Sequence, residues 1–351
     1  MEKQRCLTCL AKFVVVACLA ALRLAAQPGD PAALSERALQ LASEKHFSEA
    51  EALWSQVLSG TPEFYPALFN LGLFYFQQQR FVDAVPLLER AAAAKPNEFN
   101  PHYLLGTAFV KLQRSDEGLR AWREALRLQP ANLRLMQVMS VEYSKGHYFE
   151  EAAALAQRAL KLKLDDLNLY LLAIKALQDA GDSSAAGALA QQAVTRFPAS
   201  ARANFEYGFH LRKAGNLADA VRYLQAAMKL DPAYEEPFFF YGNLLAEQGR
   251  NEEALPYLRQ AIAIRKDYIP ARVVLARALM NLELWDAASA ELNETAALDP
   301  KHPQPHLLLS QLYFRLGQEA RAKSEKDLSL RLRRENPTIL EAVQSRRFRA
   351  N

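Results

Sequence analysis

Residues 99–132 read FNPHYLLGTAFVKLQRSDEGLRAWREALRLQPAN, and the fold turns on this stretch. His102, Leu105, Gly106 and Phe109 recur at i, i+3, i+4 and i+7, which lines one face of a helix. Trp122 and Ala125 mark a second helix. Pro130 closes it, since proline has no N–H to donate and biases the residue before it away from helix. The preceding 34 residues repeat the design with Leu68, Leu71, Gly72 and Tyr75, then Ala84, Leu88 and Ala91, ending at Lys95-Pro96-Asn97.

Outward from there, three ladders run in one phase. Prolines stand at 62, 96, 130, 198, 232 and 300, always 34 or twice 34 apart. Alanines at 50, 84, 152, 186, 220, 254, 288 and 322 keep the interval, with Gly118 at the missing step. The third reads Ala38, Gly72, Gly106, Ser140, Ile174, Gly208, Gly242, Ala276 and Ser310. Nine units result: 31–64, 65–98, 99–132, 133–166, 167–200, 201–234, 235–268, 269–302 and 303–336. Small residues let the two helices of a unit approach closely. Gly181, Gly215, Gly249 and Gly317 occupy the turn between them, where positive φ suits glycine.

Composition agrees with a folded chain. Half of the 351 residues are hydrophobic and 23% charged, enough apolar material to offset ordering entropy. With 13 Gly, 17 Pro and 3 Cys, collagenous and disulfide-scaffold classes are excluded. The net charge of +4 sits at the chain ends. Residues 1–26 carry Lys3, Arg5, Lys12 and Arg23 against Glu2, and from Lys323 onward eight basic residues face four acidic ones. Such a distribution does not make a basic groove for phosphates, and no nucleic-acid partner is expected.

Lys3, Arg5 and Lys12 precede the apolar run Phe13 to Leu22, and small residues follow in Ala25-Ala26. That order predicts a secretory signal over 1–26, cut after Ala26, with a short linker at 27–30 and export to the periplasm or the exterior. The apolar run is too short to span a membrane. Val15-Val16-Ala17-Cys18 fits a lipobox, which offers a second reading: a chain tethered by lipid on Cys18 or by an uncut signal. All three cysteines (Cys6, Cys9, Cys18) lie in this segment, so the chain beyond it has no thiolate chemistry.

The repeat is similar to the tetratricopeptide repeat (TPR), on the residues quoted above and on Tyr207, Gly208, Leu211, Ala220, Leu224, Ala227 and Pro232 of the sixth unit. The resemblance implies an all-α fold, a right-handed superhelical solenoid of about nine helix-turn-helix repeats over 31–336, followed by a basic cap or tail at 337–351. Departures are local. The fourth and seventh units end in Leu164 and Lys266 where proline is usual. Ile174 in a small-residue slot predicts a looser fifth pair. Lys326 and Ser329 predict a last helix whose outer face meets water.

The resemblance further implies a concave groove lined by first-helix positions two, five, nine, twelve and thirteen. Carried onto this chain, these are Phe69, Leu73, Phe76, Tyr103, Phe205, Phe209, Phe239, Asn243 and Phe314, with Lys111, Arg134, Lys145, Lys175, Arg202, Arg212 and Arg277 among them. Rings and cations of this kind suit an amphipathic peptide with acidic residues, although the rings equally suit packing into the next repeat. The family's carboxylate clamp is missing, as only Asn70 matches it. The asparagine ladder of the glycosyltransferase-linked repeats is missing too.

Chemistry finds little room. No stretch outside the repeats suffices for a catalytic domain, and no phosphate loop, GxGxxG or GxSxG occurs. His302 and His306 are four apart, but Pro303 and Pro305 predict no regular helix between them. Acidic pairs such as Glu235-Glu236 fall at helix starts, where the dipole favours them. The expectation is a non-enzymatic scaffold without cofactor that binds a protein or peptide. Envelope glycan stacked on the rings is a further reading, and membrane contact is expected only through the signal, Cys18 or the basic tail.

Overall fold

The computed structural model describes residues 29–335; the expected signal at 1–26 and tail at 337–351 lie outside them. It divides into two units, described separately. The first holds α1 (Pro31–Ser43), α2 (Phe47–Gly60), α3 (Tyr65–Gln77), α4 (Phe81–Ala94), α5 (Phe99–Lys111), α6 (Ser115–Leu128) and α7 (Leu133–Lys145). The second holds α8 (Phe149–Leu162), α9 (Leu167–Asp179), α10 (Ser183–Arg196), α11 (Ala201–Lys213), α12 (Leu217–Leu230), α13 (Glu235–Glu247), α14 (Asn251–Ile264), α15 (Ile269–Asn281), α16 (Trp285–Leu298), α17 (Pro303–Arg315) and α18 (Glu319–Glu335). No strand occurs among the described residues. The fold is an all-α solenoid of helix pairs, and each odd-numbered helix begins at the first residue of a repeat.

One turn recurs nine times. Lys45, Gln79, Gln113, His147, Gly181, Gly215, Gly249, Glu283 and Gly317 all have φ between 59° and 83°. The N–H of the next residue reaches back to the carbonyl five before it, as in Arg80 to Tyr75 at 2.9 Å and Gln318 to Tyr313 at 2.8 Å. This is the Schellman closure of a helix. Four turns thus use glycine and five force a side chain into the left-handed region, at a cost of roughly 1 kcal/mol each. Gln79→Gly, Gln113→Gly and Glu283→Gly should each stabilise the chain by up to about 1 kcal/mol, the gain reduced by glycine's larger unfolded-state entropy. Thermal and urea melts of the single and combined variants check this.

The core follows from size pairing within a repeat. A Cβ on Gly72 would lie 3.0 Å from Leu88, on Gly208 3.3 Å from Leu224, and on Gly242 2.9 Å from Leu258. In these three repeats the small residue of the first helix is therefore roofed by a large one of the second. In the fifth repeat the sizes are exchanged: Ile174 stands in the small slot and the leucine position holds Ala190, and both are fully buried. Ala190 yields part of the volume that Ile174 takes, yet the two backbones meet less closely than in the second, third, sixth, seventh and ninth pairs, in line with the expected loosening.

A second pattern joins successive repeats. In three repeats the fourth residue of the first helix reaches the carbonyl six residues earlier, in the turn that follows the preceding second helix. His102 Nε2–H donates to Pro96 at 3.0 Å, Asn204 Nδ2 to Pro198 at 2.8 Å, and Arg272 Nε to Lys266 at 2.8 Å. Carbonyls of the connecting turn gain a donor this way.

The last pair corrects two expectations. Pro303 and Pro305 both lie in the first turn of α17, which runs unbroken to Arg315, because first-turn N–H groups have no intrahelical acceptor to lose. His302 caps that helix, its Nδ1 accepting from Gln304 N at 3.2 Å. Ser329 does not meet water: it is buried, and its hydroxyl donates to the Pro303 carbonyl at 2.8 Å.

Candidate binding groove

The first helices carry the groove positions, so their exposure and partners determine what a ligand would meet. In the first unit, Phe69 stacks on Tyr65 with centroids 5.8 Å apart, and Tyr103 on Phe99 at 5.5 Å. Phe76 meets Phe81 edge-on at 5.4 Å. These rings and Leu73 are half-buried against the α3–α6 core, each keeping some surface in solvent. Lys111 and Arg134 are exposed and form no ion pair among the described residues, whereas Lys145 contacts Glu142 at 3.1 Å.

In the second unit the rings separate. Phe205 is 5% exposed and packs between Phe209, Tyr234 and Phe240, which makes it core and removes it from ligand reach. Phe209 and Phe239 are half-buried on the same cluster. Phe314 is 70% exposed. Arg212 pairs with Glu247 at 3.2 Å, Asn243 donates to the same carboxylate at 2.8 Å, and Lys175 pairs with Asp179. Arg202 and Arg277 are exposed and form no ion pair among the described residues.

Two cavities open on this unit. The larger, about 1320 Å³, is bounded by α15, α16, α17 and α18 and takes in Arg277 and Phe314. Sequence reasoning missed Trp285, Lys323 and Lys326 in its lining. The available signal was Lys326, which occupies the register of Leu88, Trp122, Leu224 and Leu258.

The smaller cavity, about 390 Å³, is lined by Leu171, Arg202, Glu206, Tyr234, Glu235 and Glu236. The acidic pair is engaged here: Glu235 meets Arg265 at 2.9 Å and Glu236 accepts from the Tyr234 hydroxyl at 2.7 Å. Burial, with the Glu236 charge adding to it, pushes the Glu206 carboxyl up to about 7. Gln178 Nε2 donates to Glu206 at 3.3 Å and lies 2.9 Å from His210 Nε2. Burial, aided by Lys213, lowers His210 to about 4, so the ring is neutral and accepts that bond near pH 7.

The folded state holds the Glu206 proton that the unfolded state releases near its ordinary pKa. Stability from this group is therefore full below about 4.5 and lost as pH rises toward 7. Glu206→Gln is expected to leave the melting temperature near pH 4.5 unchanged and to stabilise the fold by about 1–2 kcal/mol near pH 8. Parallel melts at the two pH values check it.

An array of helix pairs whose first helices present rings and unpaired cations defines a helical-repeat scaffold. Tetratricopeptide repeat models match residues 36–99, 171–235, 210–269 and 245–312, more than half of the chain in all. The chain belongs to the tetratricopeptide repeat family. A chain of the APC/C hetero-tetramer Cut9–Hcn1 superposes with a TM-score of 0.54 at 15% identity, over 89% of this chain and 62% of that one. YrrB, a TPR protein with an unusual peptide-binding site, gives 0.42 at 21% identity over 52% and 95%. MamA from Desulfovibrio magneticus RS-1 gives 0.44 at 19% over 48% and 96%. These likenesses describe the fold alone. No curated protein matches the chain.

Proposed function

We propose that the chain is an exported, non-enzymatic scaffold that holds a protein or peptide partner against the first-helix face of its repeats. The observation that carries this reading is the set of groove-position cations Lys111, Arg134, Arg202 and Arg277. All are exposed and without an ion pair among the described residues. Several other arginines of these repeats are matched to carboxylates, Arg80, Arg114, Arg196 and Arg250 among them. Surface cations left unmatched beside half-buried rings favour an amphipathic partner with acidic groups.

Export rests on the order of charge, apolar run and small residues in 1–26. No helix among the described residues is long and apolar enough to cross a membrane. The chain recovered from cells should begin at Gln27 by intact mass. A chain beginning at Met1, or one lipidated at Cys18, would replace export of a free scaffold with tethering. For the groove, Lys111→Glu, Arg134→Glu and Arg202→Glu should together abolish capture of partners from an envelope extract while leaving the circular dichroism unchanged. Undiminished capture would move the site off this face.

A further inference from the structure

The large cavity at the ninth repeat follows from a missing side chain. In the second, third, sixth and seventh repeats a leucine or tryptophan roofs the small residue of the first helix. The ninth has Ser310 below and Lys326 above, and the lysine is exposed. The phenylalanine Phe81 that covers Phe76 also has no counterpart, because Glu319 stands at that register beside Phe314. The space left has an apolar floor, with Met280, Trp285 and Leu307 in its lining and Phe314 projecting at its rim.

Its charge is one-sided. Arg277, Arg315, Lys323 and Lys326 line it against Glu319 alone, and none of the four forms an ion pair among the described residues. We propose that this cavity is a docking site for an acidic polypeptide segment that inserts a large apolar side chain between Trp285 and Phe314 and lays carboxylates on the four cations. The proposal rests on the scaffold reading above and assigns that partner its chemistry. Charge complementarity selects the occupant: four unmatched cations favour an anion, and an aromatic-edged floor favours one with an apolar anchor. Residues 337–351 are a poor occupant, since Arg346, Arg347 and Arg349 against Glu341 give them the same sign as the site.

Trp285 provides the readout. Trp285 lines the cavity, whereas Trp54 and Trp122 are 1% and 5% exposed and thus shielded from a bound ligand. The experiment titrates the full chain with a capped peptide carrying a leucine–phenylalanine pair flanked by glutamates. Two controls replace the glutamates with glutamine or the apolar pair with serine. Saturable change in emission with the acidic peptide is expected, weakened by salt and absent with either control. Lys323→Gln with Lys326→Gln should weaken binding by about tenfold or more, and Phe314→Ala by a similar factor. All three positions are exposed, so folding should not be at issue.

Equal binding of the glutamine peptide, or equal binding by the variants, would overturn the proposal. So would a response confined to phosphatidylserine vesicles, which would make the surface lipid-binding. If no peptide binds but the Lys111, Arg134 and Arg202 variants still lose their captured partner, this inference falls and the scaffold reading stands. If peptide binds and those variants retain every partner, the ninth-repeat site stands and the wider groove falls.

Discussion

Arg272→Ala is expected to destabilise the second unit by about 3–5 kcal/mol near pH 7.5. The guanidinium is 4% exposed and every face of it is engaged. Nε donates to the Lys266 carbonyl at 2.8 Å, one terminal nitrogen meets Glu291 at 2.5 Å and the other Glu294 at 2.8 Å. Truncation orphans the carbonyl and leaves Glu291 with only the weaker influence of Arg259 as counter-charge, in a site that already raises its pKa, chiefly by burial. Glu291 then takes up a proton more readily in the folded than in the unfolded state, so the penalty should shrink as pH falls toward 5. Glu291→Leu added to Arg272→Met should recover part of the loss, because an apolar pair needs no counter-charge. Urea unfolding of the three variants at both pH values tests the argument. A pH-independent penalty would sink the electrostatic part of it.

Gly106→Ala should cost the first unit about 3 kcal/mol, a large effect for one methyl group. The added Cβ would fall 2.2 Å from Trp122 Cδ1 and 2.5 Å from its Nε1. The indole has nowhere to go: it is almost fully buried, and Nε1 donates to the Tyr103 carbonyl at 3.1 Å. Moving it sacrifices that bond and the packing together, and this outweighs the roughly 1 kcal/mol that alanine gains over glycine in a helix. The other side is closed as well, because a Cβ on Gly118 would lie 2.9 Å from the Gly106 carbonyl oxygen. Trp122→Leu in the Gly106→Ala background should restore part of the stability, since leucine at this register leaves the 3.0 Å clearance seen between Gly72 and Leu88. Additive losses in the double variant would refute direct contact as the cause.

Both residues show how far the sequence could be read. The 34-residue ladders were legible because one volume constraint recurs at most crossings, and Gly106 opposite Trp122 obeys it in extreme form. Arg272 was not legible. It stands where His102 and Asn204 also stand, three residue types that share only the reach to a carbonyl six residues back, so no hydrophobic pattern marks them. Ser329 escaped for the same reason, since its burial is decided by the Pro303 carbonyl across the pair. Groove positions name a helix face, yet position alone does not fix exposure. Phe205 is enclosed by Tyr234 and Phe240 from the following residues, whereas Phe314 is left open where Glu319 replaces an aromatic ring. The Glu206 cavity drew on Tyr234, the last residue of its own repeat, and on Glu235 and Glu236 from the start of the next, which a reading of one repeat at a time does not assemble.

The exchanged sizes of Ile174 and Ala190 bear on how such an array can be inherited. Recombination between homologous repeats is the natural route to lengthening or shortening a tandem gene. A crossover inside a turn that joined α9 to the second helix of another repeat would set isoleucine against leucine. The reciprocal product would set glycine against alanine and leave a void. One is overfilled and the other hollow, and both are unstable. A crossover between repeats transmits both members of the pair together and escapes this penalty. The packing of a single helix pair thus makes the whole 34-residue segment the smallest piece of this chain that can be copied, deleted or transplanted intact.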